Sequence, residues 1–143
     1  ITVEVNGERL FQSVQATWNL LEQSAEAALR KAHDLGLKVI IKESVANGRL
    51  TPRNQSPNFR SQKEQLSQLA REHQTTIDAI SIAAALNRPW AGIVLSGATT
   101  AEQVNSNLKA TSLQWDDELE RQTSKFTETP IDYWKSRSQR AWN

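Results

Sequence analysis

Residues 92–110, GIVLSGATTAEQVNSNLKA, leave a folding chain few choices. Ile93, Val94 and Leu95 form a short apolar run of the kind parallel strands show when both faces are covered. Gly97 breaks the run. Thr99 with Glu102 three residues on fits a capping box, so a helix is expected at once, with Val104 and Leu108 on its buried side. Strand, small-residue turn and helix start in that order aim free N–H groups and the positive end of the helix dipole at the carboxyl edge of a sheet, which suits an anion such as phosphate. The same order is also an ordinary way for an α/β chain to turn from sheet to helix, so the rest of the chain has to decide.

Upstream the pattern recurs. Residues 1–5 alternate apolar and polar, Asn6-Gly7 is a strong turn pair and Leu10, Phe11 and Val14 follow, which predicts a β-hairpin. Residues 13–19 read as a strand, with Val14, Ala16 and Trp18 on one face and Gln15 and Thr17 on the other. Ser24 is a candidate N-cap for a helix carrying Ala25, Ala28, Leu29, Ala32 and Leu35 at helical spacing, and Gly36 closes it. Residues 37–42, LKVIIK, are a second buried strand. Strand, helix and strand within about thirty residues make a βαβ unit with its right-handed crossover.

Residues 43–62 are polar and carry Asn47-Gly48, Pro52 and Pro57, with Arg49, Arg53 and Arg60 giving a basic cast. A loop this long leaving a strand end is either functional or a floppy surface segment. Residues 63–73 are amphipathic through Leu66, Leu69 and Ala70. Thr76 then restarts a helix whose Ile77, Ile80, Ile82 and Ala83 to Leu86 make it apolar nearly all round, and so buried. Pro89 ends it and Trp90 leads into the strand at Ile93. Beyond Ala110, Trp115-Asp116-Asp117-Glu118 suits a first helical turn, with Leu119 and Phe126 inward. Pro130 separates this from a tail, residues 131–143, expected to pack Trp134 and Trp142 on the domain, with Tyr133 beyond reach of the strand ends.

Charge and composition narrow the function classes. Seventeen Lys and Arg against 16 Asp and Glu leave a net charge of +1, too balanced to imply a polyanionic polymer, so no nucleic acid is expected. There is no cysteine, and His33 and His73 lack ligand spacing, so no metal site is expected. No apolar run approaches the roughly 18 residues of a membrane span, and a cytoplasmic chain without membrane contact is the expectation. With no methionine, Ile1 reads as a cut end.

VQATWNLLE, KVIIKESVANGRLT and GIVLSGATTAEQVNSNLKA, in this order and at these gaps, resemble the last three strand–helix units of an aldo-keto reductase. The resemblance implies an α/β fold that is the C-terminal portion of a (β/α)8 TIM barrel: about three parallel strand–helix units plus a C-terminal helix and tail. Residues 1–143 would be one partial domain, with 127–143 a tail packing on or extending from it. It further implies an oxidoreductase parent that reduces aldehydes or ketones with NADP(H), hydride coming from the cofactor.

Carried over by position, Gln15 falls where the family's glutamine holds the nicotinamide carboxamide. Lys42 falls where many members stack a tyrosine on the nicotinamide ring, which an ammonium does not do in the same way. Glu43, Val45 and Gly48 would line the pyrophosphate. Ser96, Gly97, Ala98, Thr99 and Gln103 would surround the 2′-phosphate, and Asn107 matches the asparagine that reads the adenine edge. Gly97 and Ala98 stand where some members carry cationic or hydroxyl side chains that grip that phosphate. The family's catalytic aspartate, tyrosine, lysine and histidine come from its N-terminal half, so no catalytic residue is assigned and the chain alone is expected to be inactive. The alternatives are a self-associating half-barrel, joined through open sheet edges to itself or to a missing N-terminal half, and a small α/β phosphate-binding protein.

Overall fold

The computed structural model describes residues 3–140. Its frame is a three-stranded parallel sheet in the order β3-β4-β5, formed by β3 (Ser13–Thr17), β4 (Lys38–Lys42) and β5 (Ile93–Val94). Val14 and Ala16 pair with Val39 and Ile41, and Ile41 pairs with Val94, so these apolar side chains share one face. Helices cover that face: α1 (Glu26–Asp34) between β3 and β4, then α2 (Arg60–Glu72) and α3 (Ile77–Leu86) between β4 and β5. An antiparallel pair, β1 (Glu4–Val5) and β2 (Glu8–Arg9), precedes the sheet. Asn6 and Gly7 turn it with φ of 53° and 81°, the left-handed pair a two-residue hairpin turn requires. The expected hairpin is therefore present over the described residues, with Ile1 and Thr2 outside them.

α3 buries every residue from Ile77 to Ala85. Its start is fixed by Thr76, whose hydroxyl accepts from the Ala79 amide. Each of its isoleucines contributes on the order of 2 kcal/mol by leaving water, so this helix and the sheet face beneath it form the centre of the core with Trp18, Leu21, Leu66 and Trp90. Trp18 and Trp90 meet edge to face with centroids 5.8 Å apart.

Four local expectations need correction. The helix after β5, α4 (Ala101–Leu108), is capped by Thr100 rather than Thr99. The Thr100 hydroxyl accepts from the Gln103 amide, and Gln103 Oε1 accepts from the Thr99 amide at 3.0 Å. The box is shifted by one residue because glutamine, not Glu102, sits at the position that reaches back. With the register moved, Asn107 becomes the buried residue of α4, and Val104 and Leu108 are exposed. Ile93 and Leu95, expected to be covered on both sides, are each 42 % exposed, because among the described residues helices cover only one face of this sheet. Ser24 does not cap α1; its amide and hydroxyl donate to the buried Glu22 carboxylate, and Ala25 occupies the cap position without a side-chain bond.

The chain continues through a 3-10 turn (Lys109–Thr111), α5 (Asp117–Ser124) capped by Asp116, and α6 (Pro130–Ser138) capped by Thr129. Leu119 and Phe126 point inward as expected. The tail is held differently from expectation: Trp134 is 44 % exposed, Trp142 lies outside the described residues, and Tyr133 is the buried aromatic.

Candidate functional site

The carboxyl ends of β4 and β5 open on a cleft of about 850 Å³. One lip is the segment after β4. Glu43 leaves the strand with φ of 54°, and Ala46 and Asn47 are also left-handed, so the chain coils tightly instead of extending into solvent. Turn bonds from the Ala46 amide to Glu43 O and from the Leu50 amide to Val45 O close it, and Leu50 is fully buried beneath. A 3-10 turn (Pro57–Phe59) then leads into α2. The long polar segment is thus an ordered loop, and Ser44 Oγ ties it to the other lip by donating to Leu95 O at 2.7 Å.

The second lip is the turn between β5 and α4. Gly97 has φ of 64°, and a Cβ there would meet nothing within 4 Å, so glycine is required by the backbone and not by crowding. Eight of the residues assigned from sequence line this one cleft: Lys42, Glu43, Val45 and Gly48 from one lip, Ser96, Gly97, Thr99 and Gln103 from the other. Ala98 is half-buried in the turn, its amide donating to Ser96 Oγ at 3.3 Å. Gln15 sits on the uncovered face of β3, paired in register with Ile40, and does not line the cleft. Asn107 is buried beside it. The amide orientation that satisfies its neighbours has Nδ2 donating to Asp78 Oδ2 and Gln103 O, each at 3.2 Å, so its polar edge is occupied by the fold.

The C-terminal helix adds what sequence reasoning missed. Tyr133, expected out of reach of the strand ends, accepts a bond from Asn19 Nδ2 at 3.1 Å, and Asn19 Nδ2 also donates to Glu43 O at 3.0 Å. Arg137, one turn further along the same face of α6, forks onto the Glu43 carboxylate with Nη2 at 3.0 Å and Nε at 3.2 Å. Arg49 pairs with Glu128 and lies over the rings of Phe59 and Tyr133. Burial pushes the Tyr133 hydroxyl up to about 12, with the nearby Glu43 and Glu22 charges adding to it and the Asn19 bond and Arg49 opposing it. The Tyr133 and Arg137 contacts join residues some ninety positions apart or more, and no local motif announces them.

The electrostatic result is specific. Glu43 is the acidic residue of the cleft lining, and Arg137 neutralises it. Lys42, Arg53 and Arg140 also line the cleft, and among the described residues none has a carboxylate within ion-pairing distance. Cations without an ion-pair partner among the described residues thus stand beside a glycine turn and a helix start at the carboxyl edge of a parallel sheet, an arrangement whose potential favours an anion. Among the described residues no group of three His, Cys, Asp or Glu side chains could hold a metal, and no helix is long and apolar enough to cross a membrane.

Fold and cleft together define an α/β protein whose parallel sheet opens on a cleft lined by cations. The aldo/keto reductase family model matches residues 4–126, and the chain belongs to that family. Among solved structures, a thermostable aldo-keto reductase crystallised with the inhibitor epalrestat is similar, with a TM-score of 0.62 at 21 % identity. The match covers 78 % of this chain and 38 % of that one, so the matched part spans well under half the length of that enzyme. No curated protein matches the chain.

Proposed function

We propose that this chain is the cofactor-binding, C-terminal part of an NADP(H)-dependent aldo-keto reductase whose barrel is completed by strand–helix units preceding it. The observation that carries this reading is the cleft: the loop after β4 and the turn after β5 face one another across it, with three cations and, among the described residues, no free acid between them. That donor set fits a dinucleotide's phosphates. Lys42 fits a phosphate or ribose better than a nicotinamide face, and Gln15, exposed and without a side-chain bond among the described residues, is free to take a carboxamide.

NADPH, when bound, supplies the hydride. The work left to this chain is to hold and orient: amides around Gly97 and the side chains of Thr99 and Gln103 take the adenosine end, while the segment from Glu43 to Gly48 takes the pyrophosphate. Titrating NADPH, NADH and inorganic phosphate against tryptophan fluorescence tests the reading. Tighter binding of NADPH than of phosphate supports it; phosphate preferred over both dinucleotides favours a small phosphate-binding protein instead. The chain alone is expected to show no carbonyl reduction, and measured turnover would refute that part.

A second reading follows from the uncovered sheet face. Ile93 and Leu95 are each 42 % exposed on a parallel sheet, a class of sheet ordinarily buried on both sides. Self-association through that face would cover them. Sedimentation at micromolar concentration separates the two: a monomer that binds NADPH supports the cofactor reading, and a dimer dispersed by Leu95→Lys supports the second.

A further inference from the structure

The residues of the two lips lie within the span matched by the family model, but one cation of the cleft does not: Arg140 follows α6, beyond residue 126. Its position is enforced by the helix before it. Tyr133 and Arg137 lie four apart and Arg140 three further on, so all three share one face of the helical path. The first two are locked to the strand ends through Asn19 and Glu43. The Arg140 amide donates to Arg137 O at 3.3 Å, which continues the helical path to the cleft wall.

The three arginines gathered here differ in one respect. Arg49 is taken by Glu128 and Arg137 by Glu43, whereas Arg140 meets no carboxylate within ion-pairing distance among the described residues. It is half-buried, and burial together with the positive charges of Arg49 and Arg137 pushes its pKa down from the usual guanidinium value, with Tyr133 and Glu128 opposing the shift. Lys42 and Arg53 also face the cleft, but they come from the β4 end and its loop, without the Tyr133 and Arg137 anchors that stand behind Arg140. A guanidinium held in this way, partly stripped of water and beside two other cations, would gain from an anion entering the cleft. Its planar fork matches two oxygens of a phosphate.

We propose that Arg140 is a phosphate-binding residue of the cleft, supplied by the segment that follows α6. The proposal rests on the dinucleotide reading for the identity of the ligand, and on the cleft alone for its anionic character.

The test uses the full chain with inorganic pyrophosphate, NADPH and NADH as separate titrants, followed by calorimetry, for the wild type, Arg140→Gln and Arg140→Lys. Lys31→Gln, on the exposed side of α1, makes the same charge change away from the cleft. Circular dichroism confirms that each variant is folded. Arg140→Gln is expected to weaken pyrophosphate and NADPH by roughly ten- to a hundredfold, with Arg140→Lys between it and the wild type. Lys31→Gln should change either by less than about twofold, within the range of a distant, screened charge. If Arg140→Gln leaves pyrophosphate within about twofold, or Lys31→Gln weakens it equally, the assignment of Arg140 is overturned, while NADPH binding by the wild type keeps the cofactor reading. If pyrophosphate binds through Arg140 and NADPH does not bind, the anion site stands and the cofactor reading falls. Binding of neither overturns both.

Discussion

Tyr133 is the chain's only tyrosine, so its ionisation can be followed without ambiguity. Its hydroxyl lies between Asn19 and Glu43 at the strand ends, and burial raises its pKa from 10.0 to about 12. The folded state therefore holds the proton more tightly than the unfolded chain. The stabilisation is fully present below pH 10 and is lost as pH rises from about 10 to about 12, because the unfolded chain gains by ionising and the folded one does not. Two units correspond to about 3 kcal/mol, a large share of the stability of a domain this size. Tyrosinate absorbance should titrate with a midpoint near 12 in the folded protein and near 10 in urea. Urea unfolding between about pH 9 and 12 should show a decline of up to about 3 kcal/mol that is largely missing in Tyr133→Phe. A folded-state midpoint near 10, or the same decline in Tyr133→Phe, would refute the placement of this hydroxyl in a dry network.

Two further perturbations probe the same architecture. Removing either partner of the Glu43–Arg137 pair, whose side chains are 17 % and 9 % exposed, should cost about 2–4 kcal/mol by taking a forked, charge-assisted contact from a largely buried charge, and Glu43→Gln with Arg137→Met should recover about 1–3 kcal/mol of that in a double-mutant cycle read by urea unfolding. Coupling below about 0.5 kcal/mol would mean that the pair does not hold α6. Thr100→Ala should lower stability by about 1 kcal/mol and Thr99→Ala by clearly less, since only Thr100 caps α4; equal losses would return the cap to the register expected from sequence.

The sequence carried the larger elements because they are locally encoded. Alternation in residues 13–17, the apolar run at Val39, Ile40 and Ile41, and an all-apolar helix after Thr76 each state their structure within a few residues. It was misleading where two candidates stood side by side. Thr99 and Thr100 both suit a cap, and the choice fell to which neighbour, Glu102 or Gln103, folds back. The apolar run at Ile93 correctly signalled a strand, but a run reports that a residue is suited to burial and not that a partner covers it. The least legible part was the α6 contribution. Nothing near Tyr133, Arg137 or Arg140 indicates Glu43 or the cleft, since that docking depends on the finished sheet. Of the assigned site residues, those next to strand ends were brought together, while Asn107 was drawn into a bond with Asp78 that helix periodicity does not reveal.

The two pairings of the sheet differ in how much chain must be looped to make them. Ile40 meets Gln15 across a short crossover through one helix, but meets Ile93 only after a detour about twice as long that contains both α2 and α3. Each doubling of an enclosed loop adds about 0.6 kcal/mol of closure entropy. The first strand, its helix and β4 should accordingly assemble as an early unit, with β5 arriving once α3 has a surface to settle on. A nick in the segment from Glu43 to Phe59 would then convert the late step into a meeting of two separate chains, and refolding would become dependent on concentration.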